Sequence, residues 1–157
     1  MDIDLKGYKE KFRYRAAAII IENNCLLMVK NKLAPYYYSV GGGVHINETS
    51  ENAVKREVLE ETGAAYEIDR LAFIQENFFT DNYVFKNLRC HEITMFFLMK
   101  PRGTQQLDSN SYSMGVREHM CWLPIDKLNE YQIYPEFFRE KLKRLSDRIE
   151  HIVTVQN

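Results

Sequence analysis

Apolar residues along this chain come in short runs of strand length, separated by polar or glycine-containing breaks. Residues 14–22 (YRAAAIIIE) are rich in Ala and Ile, Asn23-Asn24 is a turn signal, and residues 25–30 (CLLMVK) read as the returning strand. Residues 36–40 predict a short third strand that ends at Gly41-Gly42-Gly43. Residues 66–79 form a long β-prone stretch with residues 88–99 as its partner, and residues 116–123 predict a last strand before Pro124. Residues 101–115 are polar and read as a loop. Helical patterning is expected twice, over residues 50–62 and, with Pro135 near its first turn, over residues 135–152. Strands and two helices in this order predict an α+β domain whose sheet is covered on both faces.

The first helix carries the chemistry. Thr49 or Ser50 can cap its start, Glu51 suits the positive end of the helix dipole, and Gly63 sits where a glycine stop is expected. Val54 and Val58, four apart, form a narrow apolar stripe. Glu57, Glu60 and Glu61 stand at i, i+3 and i+4, which makes them neighbours on the adjoining face, where like charges repel. A divalent cation turns that repulsion into coordination, and an all-oxygen set suits Mg²⁺, Mn²⁺ or Ca²⁺ rather than zinc. The glycines before the helix let backbone approach a ligand closely. By itself, EVLEE is most simply a solvated acidic face.

Composition narrows the class by exclusion. The chain has 157 residues and a net charge of -1, which suits one domain, residues 1–157, with its own core. That charge gives no global attraction to nucleic acid or to an anionic membrane. The three cysteines, Cys25, Cys90 and Cys121, are odd in number and lie in apolar runs. They read as buried reduced thiols, which points to the cytoplasm. No apolar run is long enough to span a bilayer, and the N-terminal residues alternate in charge without a signal-peptide apolar region.

The spacing around the acidic helix is far more specific than the helix alone. The segment 41–64 resembles the Nudix hydrolase family, whose box reads G-x5-E-x7-R-E-U-x-E-E-x-G-U with U a bulky aliphatic residue. Gly42, Glu48, Arg56, Glu57, Val58, Glu60, Glu61 and Gly63 all fall in register. Seven of those positions demand one residue type, so at about 6–7% per type chance agreement is on the order of 10⁻⁸ per window. Ala64 departs from the final aliphatic position, and Val40 stands where many members carry proline; neither change removes a carboxylate.

The resemblance implies an α/β/α sandwich around a mixed β-sheet, the Nudix fold. It implies metal-dependent hydrolysis of a nucleoside diphosphate linked to another moiety, with Mg²⁺ as cofactor and Mn²⁺ as an alternative. By position, Glu57, Glu60 and Glu61 correspond to the metal carboxylates, and the Gly41 carbonyl is an additional ligand candidate. Arg56 and Glu48 correspond to the pair that orients them, and Glu57 is the first choice for general base, with Glu118, Glu92 and Glu76 as candidates outside the box. Downstream motifs of NADH, ADP-ribose and diadenosine polyphosphate members are not cleanly met. That leaves nucleoside triphosphates, nucleotide sugars or a related small nucleotide.

Two aromatic segments, PYYYSV and ENFFTDNYVF, offer a stacking platform for a nucleobase, and Arg13 and Arg15 share one strand face from which to reach phosphate. The expected partner is a small nucleotide, with no membrane and no nucleic acid partner; a homodimer is compatible with the sequence. Two other readings stay open at this point: a Nudix-like module that binds a nucleotide without cleaving it, and RNA cap removal, which would call for an extended basic surface.

Overall fold

The computed structural model describes residues 1–156; Asn157, the last residue of the expected domain, lies outside the described residues. Among the described residues there are twelve strands: β1 (Asp4–Lys6), β2 (Glu10–Ile19), β3 (Ile21–Glu22), β4 (Cys25–Lys30), β5 (Tyr37–Gly43), β6 (Ile68–Asp81), β7 (Leu88–Met99), β8 (Tyr112–Ser113), β9 (Val116–Arg117), β10 (His119–Pro124), β11 (Ile133–Tyr134) and β12 (Glu150–Val155). The helices are α1 (Ser50–Thr62), a 3₁₀ segment Ile125–Glu130, and the single turn α2 (Phe138–Lys141).

The sheet is mixed, in the order β10-β4-β5-β2-β7-β6-β12, with β1 on β2, β3 on β4 and β11 on β5. β2 runs parallel to β7, and β12 runs parallel to β6. Period-2 alternation sorts β2 between two cores. Ala16 and Ala18 join Val40 and Phe97 under α1, through Val54 and Val58. Ala17 and Ile19 face the opposite way, onto Leu128 of the 3₁₀ segment and Phe138 of α2. The expected sandwich is therefore present, with a thin second layer.

α1 begins and ends where its caps predict. The Thr49 hydroxyl accepts from the Asn52 N–H at 3.1 Å, and Gly63 stops the helix at φ 71°. Several expectations fail: the run 14–22 divides between β2 and β3, and the run 116–123 between β9 and β10. The three glycines do not follow β5 but are its last three residues, Gly41 to Gly43 pairing with Ala17 to Arg15 of β2. The long terminal helix is absent: only Phe138–Lys141 is helical, and Glu150–Val155 is a strand. The helix stops at Lys141, and Ser146 holds the following non-helical segment, its hydroxyl accepting from the Arg148 N–H while its carbonyl accepts from Arg70. Beyond it, EHIVTV alternates with period 2 and is β-branched, so it completes the sheet beside β6.

The three cysteines are unpaired, and they are half-buried rather than buried as expected. Among the described residues no helix is long and apolar enough to cross a membrane.

Candidate functional site

β5 and α1 meet at the glycines, and that junction assembles the acidic residues. A Cβ on Gly42 would lie 2.6 Å from Glu57 Cδ, so the missing side chain is what lets the carboxylate rest on the strand. Gly41, at φ 155°, leaves no room either: its Cβ would lie 2.7 Å from Ala17 Cα and would also strike the Ala16 carbonyl. The Gly41 N–H donates to Glu61 Oε2 at 2.8 Å.

Arg56 is the hub of the loop. Its Nε and Nη2 donate to the two Glu48 oxygens at 2.8 and 2.9 Å, a bidentate fork. Nη2 also donates to the Gly43 carbonyl at 3.1 Å, and Nη1 donates to Glu57 Oε1 at 2.8 Å. The same guanidinium thus fixes the loop after β5 and the first helix carboxylate. Its hydrogen bonds pull Glu48 down to about 2, and the Glu48 carboxylate raises Arg56 in turn. Glu48 therefore contributes stability in full above about pH 4.5, lost as pH falls towards about 2. The expected result is a stability gap between the parent and Glu48→Gln that is open at pH 6 and narrows steadily between pH 4.5 and 2. A gap independent of pH in urea titrations would discard the assignment.

The three helix carboxylates do not behave alike. Glu61 is buried; burial first, then the charges of Glu118 and Glu57, hold its carboxyl well above the ordinary range, against the Gly41 N–H. Glu57 is raised by burial, with Arg56 opposing. Glu60 turns outward, 59% exposed, with Oε2 at 3.4 Å from Arg56 Nη1. Among the described residues no three acidic, His or Cys side chains converge into a ready-made metal cage. The donor set still fits a hard divalent cation. It is all oxygen, it crowds at least three buried or half-buried acids, and the glycine backbone provides the cradle.

The outside glutamates separate. Glu118, between β9 and β10, is brought beside Glu61; its oxygens accept from Tyr38 OH at 2.5 Å and Ser111 Oγ at 2.7 Å. Glu92 lies on the opposite sheet face, the face of Ala17, paired with Arg13. Glu76 stands far along the sheet beside β12 and binds His151 at 2.8 Å. Arg13 and Arg15 do share a face. Arg15 Nε is buried with no hydrogen-bond partner; burial lowers Arg15, and Glu92, Glu61 and Glu57 oppose that.

The two aromatic segments converge at Tyr36. Tyr36 meets Tyr134 at 4.8 Å and Tyr83 at 5.4 Å between ring centroids, both edge-to-face. Burial and then the nearby Asp81 raise the Tyr36 hydroxyl. Gln75, Thr94 and Glu92 are buried polar groups on the same stretch of sheet, an unusual lining for central strands. Sequence reasoning placed Tyr38 only in an aromatic segment and missed its bond to Glu118, since no local pattern marks a partner 80 positions away; Ser111 and Asn31, each seven positions from its partner, belong to no motif that marks them.

A family model described as the NUDIX domain matches residues 11–144. A MutT-like protein of Streptomyces ambofaciens is 30% identical over 115 residues, 73% of this chain. The match spans 65% of that relative's length. Among solved structures, a MutT protein from Methanosarcina mazei superposes with a TM-score of 0.65 at 19% identity, covering 88% of this chain and 95% of that one. An ADP-ribose pyrophosphatase from Streptococcus suis gives 0.57 at 15% identity, covering 90% and 98%. At such identities the likeness concerns the fold; the family follows from the model that matches most of the chain and from the box whose Arg56 fork and glycine cradle are formed, and the chain belongs to the Nudix hydrolase family.

Proposed function

We propose that this chain is one Nudix domain that works in the cytoplasm as a divalent-cation-dependent pyrophosphohydrolase. Its substrate is a small nucleotide, a nucleoside diphosphate linked to another moiety such as a phosphate or a sugar. The observation that carries the reading is the seating of Glu57 and Glu61 on the Gly41–Gly43 backbone, with Arg56 gripping Glu48 and Glu57 together. One structural relative is named an ADP-ribose pyrophosphatase, an activity of the same chemical class.

Glu57, Glu60, Glu61 and the Gly41 carbonyl would hold Mg²⁺ or Mn²⁺, with Glu118 as a further carboxylate. When bound, the cation neutralises phosphate charge and acidifies a water. Arg56 and Glu48 keep Glu57 in one rotamer, so that it meets the substrate already oriented. Glu57 takes the proton of the attacking water as general base. Arg15, within electrostatic reach of Glu57 and Glu61 from the other sheet face, adds positive charge behind the phosphate site. Tyr36, Tyr83 and Tyr134 offer rings to a nucleobase, worth about 1–3 kcal/mol per stacked base.

The test is a panel of nucleotides incubated with Mg²⁺ or Mn²⁺, followed by identification of the phosphate products. Compounds with a pyrophosphate should be cleaved and nucleoside monophosphates left intact. A chelator should abolish turnover, and added cation should raise the melting temperature by mass action. Full turnover in excess chelator, or a preference for monophosphates, would sink the reading.

A further inference from the structure

Glu118 is a buried acid, 6% exposed, whose partners are hydroxyls rather than cations. A buried carboxylate kept only for packing is costly unless a cation compensates it. Here the Tyr38 hydroxyl donates to Oε2 at 2.5 Å and the Ser111 hydroxyl to Oε1 at 2.7 Å. The Tyr38 oxygen in turn accepts from Asn31 Nδ2 at 2.9 Å, which orients its proton towards Glu118. Neutral donors restrain the carboxylate without cancelling its charge, so the charge remains for something else.

The segment that carries Glu118 is fastened to the end of α1 that carries Glu61. The Asp108 N–H donates to the Thr62 carbonyl at 3.1 Å, and the Ser109 hydroxyl donates to the Glu61 carbonyl at 2.5 Å. The Glu118 N–H closes the loop onto the Ser111 carbonyl at 2.9 Å. Tyr38 approaches from β5, three residues before Gly41. Three separate segments thus set where Glu118 stands relative to Glu61.

We propose that Tyr38 and Ser111 are positioning residues for the hydrolytic site, clamping Glu118 beside Glu61 so that a carboxylate from outside the box serves the cation. This rests on the cation-dependent reading above. Partners that orient ligating carboxylates typically matter by about 10–100-fold in metal affinity or activity when removed.

The experiment uses Mn²⁺ as probe, with affinity measured by electron paramagnetic resonance on the protein without nucleotide, alongside steady-state kinetics on the best substrate of the panel. Tyr38→Phe and Ser111→Ala each remove one hydroxyl and little volume. The double variant should bind Mn²⁺ about tenfold more weakly or worse, with kcat lowered and KM for the nucleotide within about twofold. Ser111→Thr, which restores the hydroxyl, should recover Mn²⁺ affinity. In a Glu118→Gln background the same substitutions should change Mn²⁺ affinity little further, since the clamp then holds nothing that matters. Parent-like Mn²⁺ affinity in the double variant would overturn the proposal even if its melting temperature falls. So would equal losses with and without Glu118. A parent that neither binds Mn²⁺ nor cleaves any pyrophosphate overturns the functional reading as well, whereas an active parent with indifferent variants overturns the clamp alone.

Discussion

Glu57→Gln is expected to lower kcat by about 10² or more, the scale of losing a general base, while the protein stays folded. The substitution keeps the shape that rests on Gly42 and still offers an oxygen to Arg56 Nη1. Val54 and Val58, fully buried beneath α1, are untouched. The change also deletes a charge from a crowded acidic site. That charge raises Glu61, and burial penalises it at Glu57 itself. Stability without added cation should therefore equal or exceed that of the parent, and stabilisation by Mg²⁺ should shrink. An inert surface helix would instead leave turnover and the Mg²⁺ response unchanged. Both quantities can be read on purified protein by steady-state kinetics and thermal unfolding with and without Mg²⁺; parent-like values for both would remove Glu57 from the site.

The second large effect is on the fold. Gly41→Ala should destabilise the protein by about 2–5 kcal/mol, combining overpacking with backbone strain. The new methyl would meet backbone atoms of Ala16 and Ala17, which cannot swing aside as a flexible side chain would. Any relief must separate β5 from β2 at the point where the Gly41 N–H holds Glu61. Gly7→Ala is the matched control: its methyl would meet nothing closer than 3.8 Å, so the change should stay within about 0.5 kcal/mol. Urea unfolding of the two variants decides the matter. Equal stabilities would mean that the close approach at Gly41 has no energetic weight.

How far each feature was legible depends on how far apart its causes lie along the chain. The helix over residues 50–62 was read correctly because its cap, its Val54–Val58 stripe and its glycine stop are all local. Strand β4 and strand β7 emerged at their observed bounds for the same reason: a strand-length apolar run between breaks is a local signal. The C-terminal helix was misread because Pro135 is a strong start signal, while the competing period-2 pattern of residues 150–155 gains its energy only from β6, some 75 positions earlier. The glycines were read as a terminator because glycine lacks a strand preference of its own. What keeps them in β5 is their pairing with β2, together with the carboxylate that fills the space where side chains would stand.

The sequence by itself determined the family, the acidic helix with its Arg56–Glu48 partnership, and the chemistry that hard oxygen donors support. Those properties reside in residue types at fixed spacings within about two dozen positions, and helical geometry converts such spacings into faces without outside help. Only the tertiary structure decided which distant groups stand near the box carboxylates. It set Glu118 beside Glu61 and sent Glu92 to the other face and Glu76 to the far edge. It aimed Tyr38 and Ser111 at Glu118, and gathered Tyr36, Tyr83 and Tyr134 from three parts of the chain. Each of these placements depends on strand order and on register, where a slip of one residue would turn every side chain to the opposite face. Register is settled by the packing of both cores at once, and no segment carries that information alone.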